Sequence, residues 1–200
     1  MIDFIRALFD PANEFLQIAF WVATLASVSF GIIGTYVVTR RISYLAGAIA
    51  HCVFGGIGAG LYLKHHIGLT WFDPMYGAIF SALLAAVIIG LISMYADQRE
   101  DTVIGALWAM GMAAGLLFID RTPGYFDIGS YLFGDILLIS YSDLRLVLAL
   151  DIVVVSFCLV FYNKLLAICF DEEFARVSGI KTGAYYLFLL CLTALTVVLL

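Results

Sequence analysis

Charge is what this sequence has least of. Only 12% of its 200 residues are Asp, Glu, Lys or Arg, while 64% are hydrophobic. A soluble domain runs nearer about a quarter charged and about half apolar, so the composition excludes a water-soluble globular fold and points to an integral membrane protein. Proline is scarce as well. Pro11, Pro74 and Pro123 are the only three, and each falls in a polar break or at the edge of an apolar run. There a proline costs no interior helical hydrogen bond. The four cysteines, Cys52, Cys158, Cys169 and Cys191, show no CxxC spacing. They lie in or beside apolar runs and read as small buried hydrophobes, which argues against a disulfide or zinc framework. Glycine-rich phosphate loops, serine-nucleophile motifs, HExxH and basic tracts are missing too, so the usual signatures of nucleotide, acyl-transfer, metalloprotease and nucleic-acid chemistry are absent. The net charge of −5 leaves cations unrepelled.

Long apolar runs are abundant. A helix crossing the hydrocarbon needs roughly 20 mostly apolar residues, and six stretches meet or nearly meet that length: 15–39, 43–63, 74–95, 102–119, 143–168 and 183–200. Short polar breaks separate them: RR at 40–41, KHH at 64–66, ADQRED at 96–101, DRTPGYFD at 120–127 and FDEEFARVSGIKTG at 170–183. The expected fold is an all-α polytopic helix bundle of about six spans in one transmembrane domain covering 1–200. IGSYLFGDILLIS (128–140) is too short to span and reads as a short helix packed against the bundle. No charged n-region with a short h-region and A-x-A site opens the chain, so no cleaved signal peptide is expected. MIDFIRALFDPANEF reads as an amphipathic lead-in with Phe4, Ile5, Leu8 and Phe9 on one side, or with equal weight as a frayed terminus. AYYLFLLCLTALTVVLL stops at Leu200 without a polar flank, so a longer natural chain is expected. If the spans alternate, Arg40, Arg41, Arg99, Lys164, Arg176 and Lys181 share one side, against Arg6, Lys64, Arg121 and Arg145 on the other. The positive-inside rule makes the first side cytoplasmic and puts the N-terminus outside.

One apolar run carries a histidine. In LAGAIAHCVFGGIGAG (45–60), Gly47, His51 and Gly55 are spaced i, i+4, i+8 and share a helix face. Gly56 and Gly60 form a GxxxG pair beside them. Small residues mark where helices approach closely in a bilayer, so His51 should point into the bundle. An ionisable group in a span is a functional candidate, and neutral imidazole suits zinc, iron and copper. From pattern alone, a structural hydrogen bond to a neighbouring helix outweighs a ligand or pathway role, and one histidine is not a metal site. Asp135 and Asp151 are the other carboxylates in apolar surroundings. Each is a weak cation-path candidate and reads more readily as a local pair. His65 and His66 could touch a metal but read first as solvated loop residues.

The most polar inner segment is CFDEEFARVSGIKTG (169–183). Residues 171–178 form a short helix, with Asp171 as N-cap, acids in the first turn, Arg176 later and Gly179 as the stop. Phe170, Phe174 and Val177 give it an apolar edge. Such a helix suits docking into a groove on a cytosolic partner, or equally serves as a plain connector on the membrane surface.

At these residues the chain resembles a family. GTYVVTRRISYLAGAIAHCVFGGIGAG, REDTVIGALWAMGMAAGLLF, SYLFGDILLIS and FDEEFARVSGI are similar, in order, to signature stretches of the bacterial zinc/manganese/iron ABC-importer permeases, of the type II importer fold. The resemblance implies a multi-pass subunit of the bacterial inner membrane that works as a pair. It implies two copies of a cytosolic ABC ATPase beneath and an extracytoplasmic metal-binding protein above. The permease holds no permanent cofactor and has no catalytic site; the divalent metal ion is cargo and the partner uses the ATP. Residues 170–182 correspond to the coupling-helix loop, which implicates Glu172, Glu173, Phe174, Ala175, Arg176 and Gly179 in ATPase contact. The family's second span commonly carries D-x-x-x-H. His51 matches the histidine, but Gly47 stands where the acid is expected. Loss of that hard oxygen ligand leans the cargo from manganese toward zinc. The alternative reading is an ATP-independent metal carrier or exporter. A haem or quinone oxidoreductase subunit is a more distant rival, since only His51 could ligate haem from within a span.

Overall fold

The computed structural model describes residues 6, 8, 10, 13–66, 68, 72–95, 100–124, 129–130 and 140–199. Of the lead-in face only Leu8 is among them, and Asp135 with most of 128–140 lies outside the described residues. The described part is helical: α1 (Glu14–Thr39), α2 (Ser43–His66), α3 (Pro74–Tyr95), α4 (Glu100–Asp120), α5 (Tyr141–Val160), α6 (Tyr162–Phe170), α7 (Glu172–Val177) and α8 (Thr182–Val198). The all-α membrane class expected from composition is the one observed.

The span count differs from the expected six. Helices α1 to α4 are each long and apolar enough to cross a membrane, and α5 with α6 makes a possible fifth span bent by 72°. The stretch 143–168 breaks because α5 is already long enough. Its 20 residues rise about 30 Å, the full hydrocarbon thickness, and the polar Asn163 and Lys164 follow just beyond Phe161 and Tyr162. The Lys164 ammonium lies 5.8 Å from the Phe161 ring centre and 5.2 Å from that of Tyr185, holding the corner. Beyond it α6 buries Leu165 and Ile168 and exposes Asn163, Lys164 and Phe170. It is an amphipathic helix at the end of the bundle. The final stretch forms α8, which is 17 residues long, roughly 26 Å of rise and just short of a full crossing.

Two hydrophobic clusters meet on α8. One joins Leu45 and Ile49 of α2, Ala78, Ala82, Ala85, Ala86 and Ile89 of α3, and Ile104 of α4 to Tyr186, Leu190 and Ala194 of α8. The other joins Ile33, Tyr36 and Val37 of α1, Val154 and Cys158 of α5, Leu165 and Ile168 of α6 and Ala175 of α7 to Leu189 and Leu192 of α8. Hydroxyls within the helices stay satisfied without water. Thr24 donates to the Phe20 carbonyl at 2.7 Å, and Thr193 and Thr196 donate one turn back to Leu189 at 2.9 Å and Leu192 at 2.8 Å. This back-bonding is the usual solution for Ser and Thr inside a helix.

Helix α2 lies between α3 and α4 with its backbone nearly touching both. A Cβ built on Gly55 would stand 2.8 Å from the Gly111 carbonyl oxygen, and one on Gly58 would stand 2.8 Å from that of Gly115. On the α3 side a Cβ at Gly56 would collide with the Gly77 carbonyl and the Ser81 hydroxyl, and one at Gly60 would lie 2.9 Å from Pro74 Cα. Backbone cannot step aside as a flexible side chain can. Gly56→Ala is therefore expected to lower the thermal midpoint of the detergent-purified protein, with an overpacking cost of about 1–3 kcal/mol. Gly31 and Gly34 of α1 face open space, and Ala there should be neutral or stabilise by up to about 1 kcal/mol. Equal midpoints for Gly31→Ala and Gly56→Ala would contradict this packing.

Candidate functional site

His51 sits in the first half of α2, on the face turned to α4. Its ring packs against the Trp108 indole at 4.6 Å between centres, with the planes 54° apart. Trp108 also contacts Tyr44 at 5.7 Å. The His51 Nδ1 is buried and has no hydrogen-bond partner. An imidazole nitrogen left unbonded in a bundle interior is costly, so its availability needs a reason. A Cβ on Gly47 would lie 2.8 Å from both Cη2 and Cζ3 of Trp108. The indole therefore fills the space where a side chain at position 47 would stand. Beside it, the Cys52 thiol donates to the Leu107 carbonyl at 3.5 Å, as a small buried group would.

Asp151 is turned elsewhere. One carboxylate oxygen accepts the Ser29 hydroxyl and, at 3.2 Å, the Ser29 backbone N–H, joining α5 to α1. Both residues are buried. His65 Nδ1 lies 2.9 Å from the Leu61 carbonyl, and His66 Nε2 lies 2.8 Å from the Arg121 carbonyl. The second contact brings the end of α2 to the end of α4. Among the described residues no three His, Cys, Asp or Glu side chains converge to hold a metal ion. His51 stands as a single donor.

The opposite end of the bundle gathers the other polar residues. Asp171 caps α7 by accepting the Phe174 N–H at 2.8 Å, and Gly179, at φ 80°, ends the turn that follows. The Ile180 N–H returns to the Ala175 carbonyl at 3.0 Å. These are the N-cap and stop read from the sequence. Glu172 pairs with Arg40 at 3.0 Å and with Arg176 at 3.5 Å. Ala175 is fully buried and seats the helix, while Glu173, Phe174, Arg176 and Val177 face outward. The apolar edge is open, with Phe170 76% exposed, Phe174 66% and Val177 88%. In neighbouring α6, burial pushes the Cys169 thiol up from its ordinary value, against the opposing pull of Arg40. Cys169 accordingly stays a neutral thiol near pH 7.

Residues 12–200 match the ABC 3 transport family. The chain belongs to that family. Its relatives include a Chlamydia muridarum protein described as a probable metal transport system membrane protein, 37% identical over 100% of this chain and 67% of its own. They also include the manganese import system permease protein ScaB of Streptococcus gordonii, 31% identical over 98% of this chain and 67% of its own. Among solved structures, PsaBC from Streptococcus pneumoniae in complex with Fab superposes with a TM-score of 0.79 at 27% identity, covering 100% of this chain and 69% of that one. This ABC 3 chain spans about 62–67% of the length of two chlamydial relatives it matches, from Chlamydia muridarum and Chlamydia pneumoniae. It is a multi-pass protein of the bacterial plasma membrane, as its composition and helices require.

Sequence reasoning did not single out Trp108, Ser29 or Arg40 within this family member. Trp108 could have been found, because Trp108, Gly111 and Gly115 fall at i, i+3, i+7 and mark one face of α4. Ser29 and Arg40 gave no comparable signal, since their partners lie 122 and 132 residues away. The fit at Gly47 gives a direct test. Gly47→Ala should cost about 1–3 kcal/mol through overpacking against the indole, and combining it with Trp108→Leu should recover part of that loss. Thermal-shift size-exclusion of the purified variants reads both. A double variant no more stable than the sum of the singles would contradict the contact.

Proposed function

We propose that this chain is the membrane-spanning subunit of an ATP-driven importer that carries a divalent transition-metal ion across the bacterial inner membrane. Two permease copies stand on two copies of a cytosolic ABC ATPase, and an extracytoplasmic metal-binding protein delivers the ion from the other face. The permease hydrolyses nothing itself. The observation that carries the reading is α7, a capped helix of six residues at the arginine-rich end, with a bare apolar edge. A helix this short has little stability of its own, and its exposed Phe174 and Val177 suit a groove on a partner. The family assignment and the relatives' names support the reading of the partner as an ABC ATPase and of the cargo as a metal ion.

The single histidine sets what the pathway can do. The free Nδ1 of His51 is a lone-pair donor, and neutral imidazole binds first-row metals. With no acid at position 47 and no other ligand converging among the described residues, its hold on an ion is brief, with water completing the coordination. Weak binding at mid-membrane lets an ion pass onward. Manganese is favoured by the names of the relatives, whereas the imidazole without a carboxylate favours a softer ion such as zinc. Closure of the ATPase dimer would move α7 and switch the pathway between the two faces.

The test uses the full-length permease co-expressed with its ATPase. His51→Ala should reduce metal uptake at least about tenfold, equivalent to about 1.4 kcal/mol on the transport barrier, and uptake competition among manganese, zinc and iron identifies the cargo. Unchanged uptake and selectivity would remove His51 from the pathway. Separately, Glu173→Ala with Phe174→Ala should release the ATPase during co-purification, and a normal yield of complex would count against α7 as its contact. Transport that persists without nucleotide would favour the lone-carrier alternative.

A further inference from the structure

One side chain joins the α1–α2 turn to the coupling end of the bundle. Arg40 follows the last residue of α1. One guanidinium nitrogen donates to the Ile168 carbonyl of α6 at 3.0 Å, and another donates to the Glu172 carboxylate of α7 at 3.0 Å. The same guanidinium lies over the Tyr186 ring of α8, 5.1 Å from its centre. A single planar group thus holds three helices while belonging covalently to a fourth. Only arginine can do this, because its rigid fork donates in two directions while its face stacks on an aromatic ring.

The turn behind Arg40 is tight and directional. Arg41 takes φ 58°, a left-handed conformation that is unfavourable for a non-glycine residue. The Ile42 N–H closes the turn onto the Val37 carbonyl at 3.0 Å. Helix α2, which bears His51, begins at Ser43. Only Arg41 and Ile42 therefore separate the guanidinium-bearing residue from the His51 helix, and they are held in one geometry. Glu172 has a second partner in Arg176, but that side chain is 70% exposed against 20% for Arg40. Solvent and salt screen the outer pair more than the inner one. A cavity of about 480 Å³ lined by Arg40, Glu172, Arg176, Thr182 and Tyr186 lies alongside. The Arg40–Glu172 link between α7 and α1 is consequently polar, with open space beside it.

We propose that Arg40 is the positioning residue that carries a displacement of α7 to the α1–α2 turn, and through it to the helix of His51. It acts through Glu172 and touches neither cargo nor nucleotide. The inference rests on the reading of α7 as the ATPase contact. Loss of the Arg40 link should leave the ATPase bound but let hydrolysis run without transport.

The experiment uses the full-length permease reconstituted with its ATPase and metal-binding protein, and measures metal moved per ATP hydrolysed alongside the yield of assembled complex. Arg40→Lys keeps the charge and loses the fork, and Arg40→Gln keeps a polar group and loses the charge. Each should assemble within about twofold of the parent and move at least about fivefold less metal per ATP. The reversal Arg40→Glu/Glu172→Arg should transport better than either reversal alone. Variants that assemble and transport per ATP like the parent would overturn the proposal. So would variants that shed the ATPase, since Arg40 would then only seat the helix. A parent complex that binds no ATPase, or moves metal without ATP, would instead overturn the underlying reading of the chain as an importer permease.

Discussion

The bundle depends on how closely α2 can approach its two neighbours. In a bilayer there is no hydrophobic force between helices, because lipid tails are as apolar as leucine side chains. Association has to come from dispersion and close fit. Gly55 and Gly58 against Gly111 and Gly115, and Gly56 and Gly60 against Gly77 and Pro74, bring main chains into contact on both sides of one helix. Each atom pair gains little, yet the sum over two long interfaces is large. The alanine face of α3 extends the same principle toward α8. A β-branched or long residue at any of these points would separate the helices along their length.

That constraint also explains where His51 sits. The face of α2 that packs on α4 carries Gly47, His51, Gly55 and Gly58 in one row. Small residues above and below bring α4 close to the imidazole, and Trp108 packs against its ring. The polar nitrogen is kept dry and unpaired while the surrounding backbone is satisfied within its own helix. Asp151 shows the opposite arrangement. Its carboxylate is tied to Ser29 by hydroxyl and amide together, which offsets the cost of placing it among apolar groups. Two ionisable groups within the chain's helices thus have different fates, one bonded and one available.

Much of this was legible in the sequence. Composition and run length dictated the class, the polar breaks located α1 to α4 within a few residues, and Asp171 and Gly179 bracketed α7. Glycine spacing pointed to the α2 face that carries His51. What could not be read was anything set by tertiary contact. The break at Phe161 depends on α5 already matching the bilayer and on Lys164 reaching Tyr185, a contact 21 residues ahead in the chain. Ala175 and Glu172 look like equal members of an exposed motif, yet one packs beneath α7 and the other turns back to Arg40. The occupant of the space beside Gly47 was equally hidden, because an absent acid says nothing about which neighbour fills the gap.

Helix α8 ties these local features into one mechanism. Tyr186, Leu190 and Ala194 belong to the cluster around α2 and α3, while Leu189 and Leu192 belong to the cluster around α1, α5 and α6. Tyr186 also underlies the Arg40 guanidinium. A rigid shift of α7 therefore meets two different resistances. Through Ala175 it must deform a packed apolar cluster shared with α1, α5, α6 and α8, which interiors resist. Through Glu172 it meets a polar link to Arg40 with a cavity beside it. Motion follows the softer link, so displacement at the coupling end is steered to the α1–α2 turn and along α2.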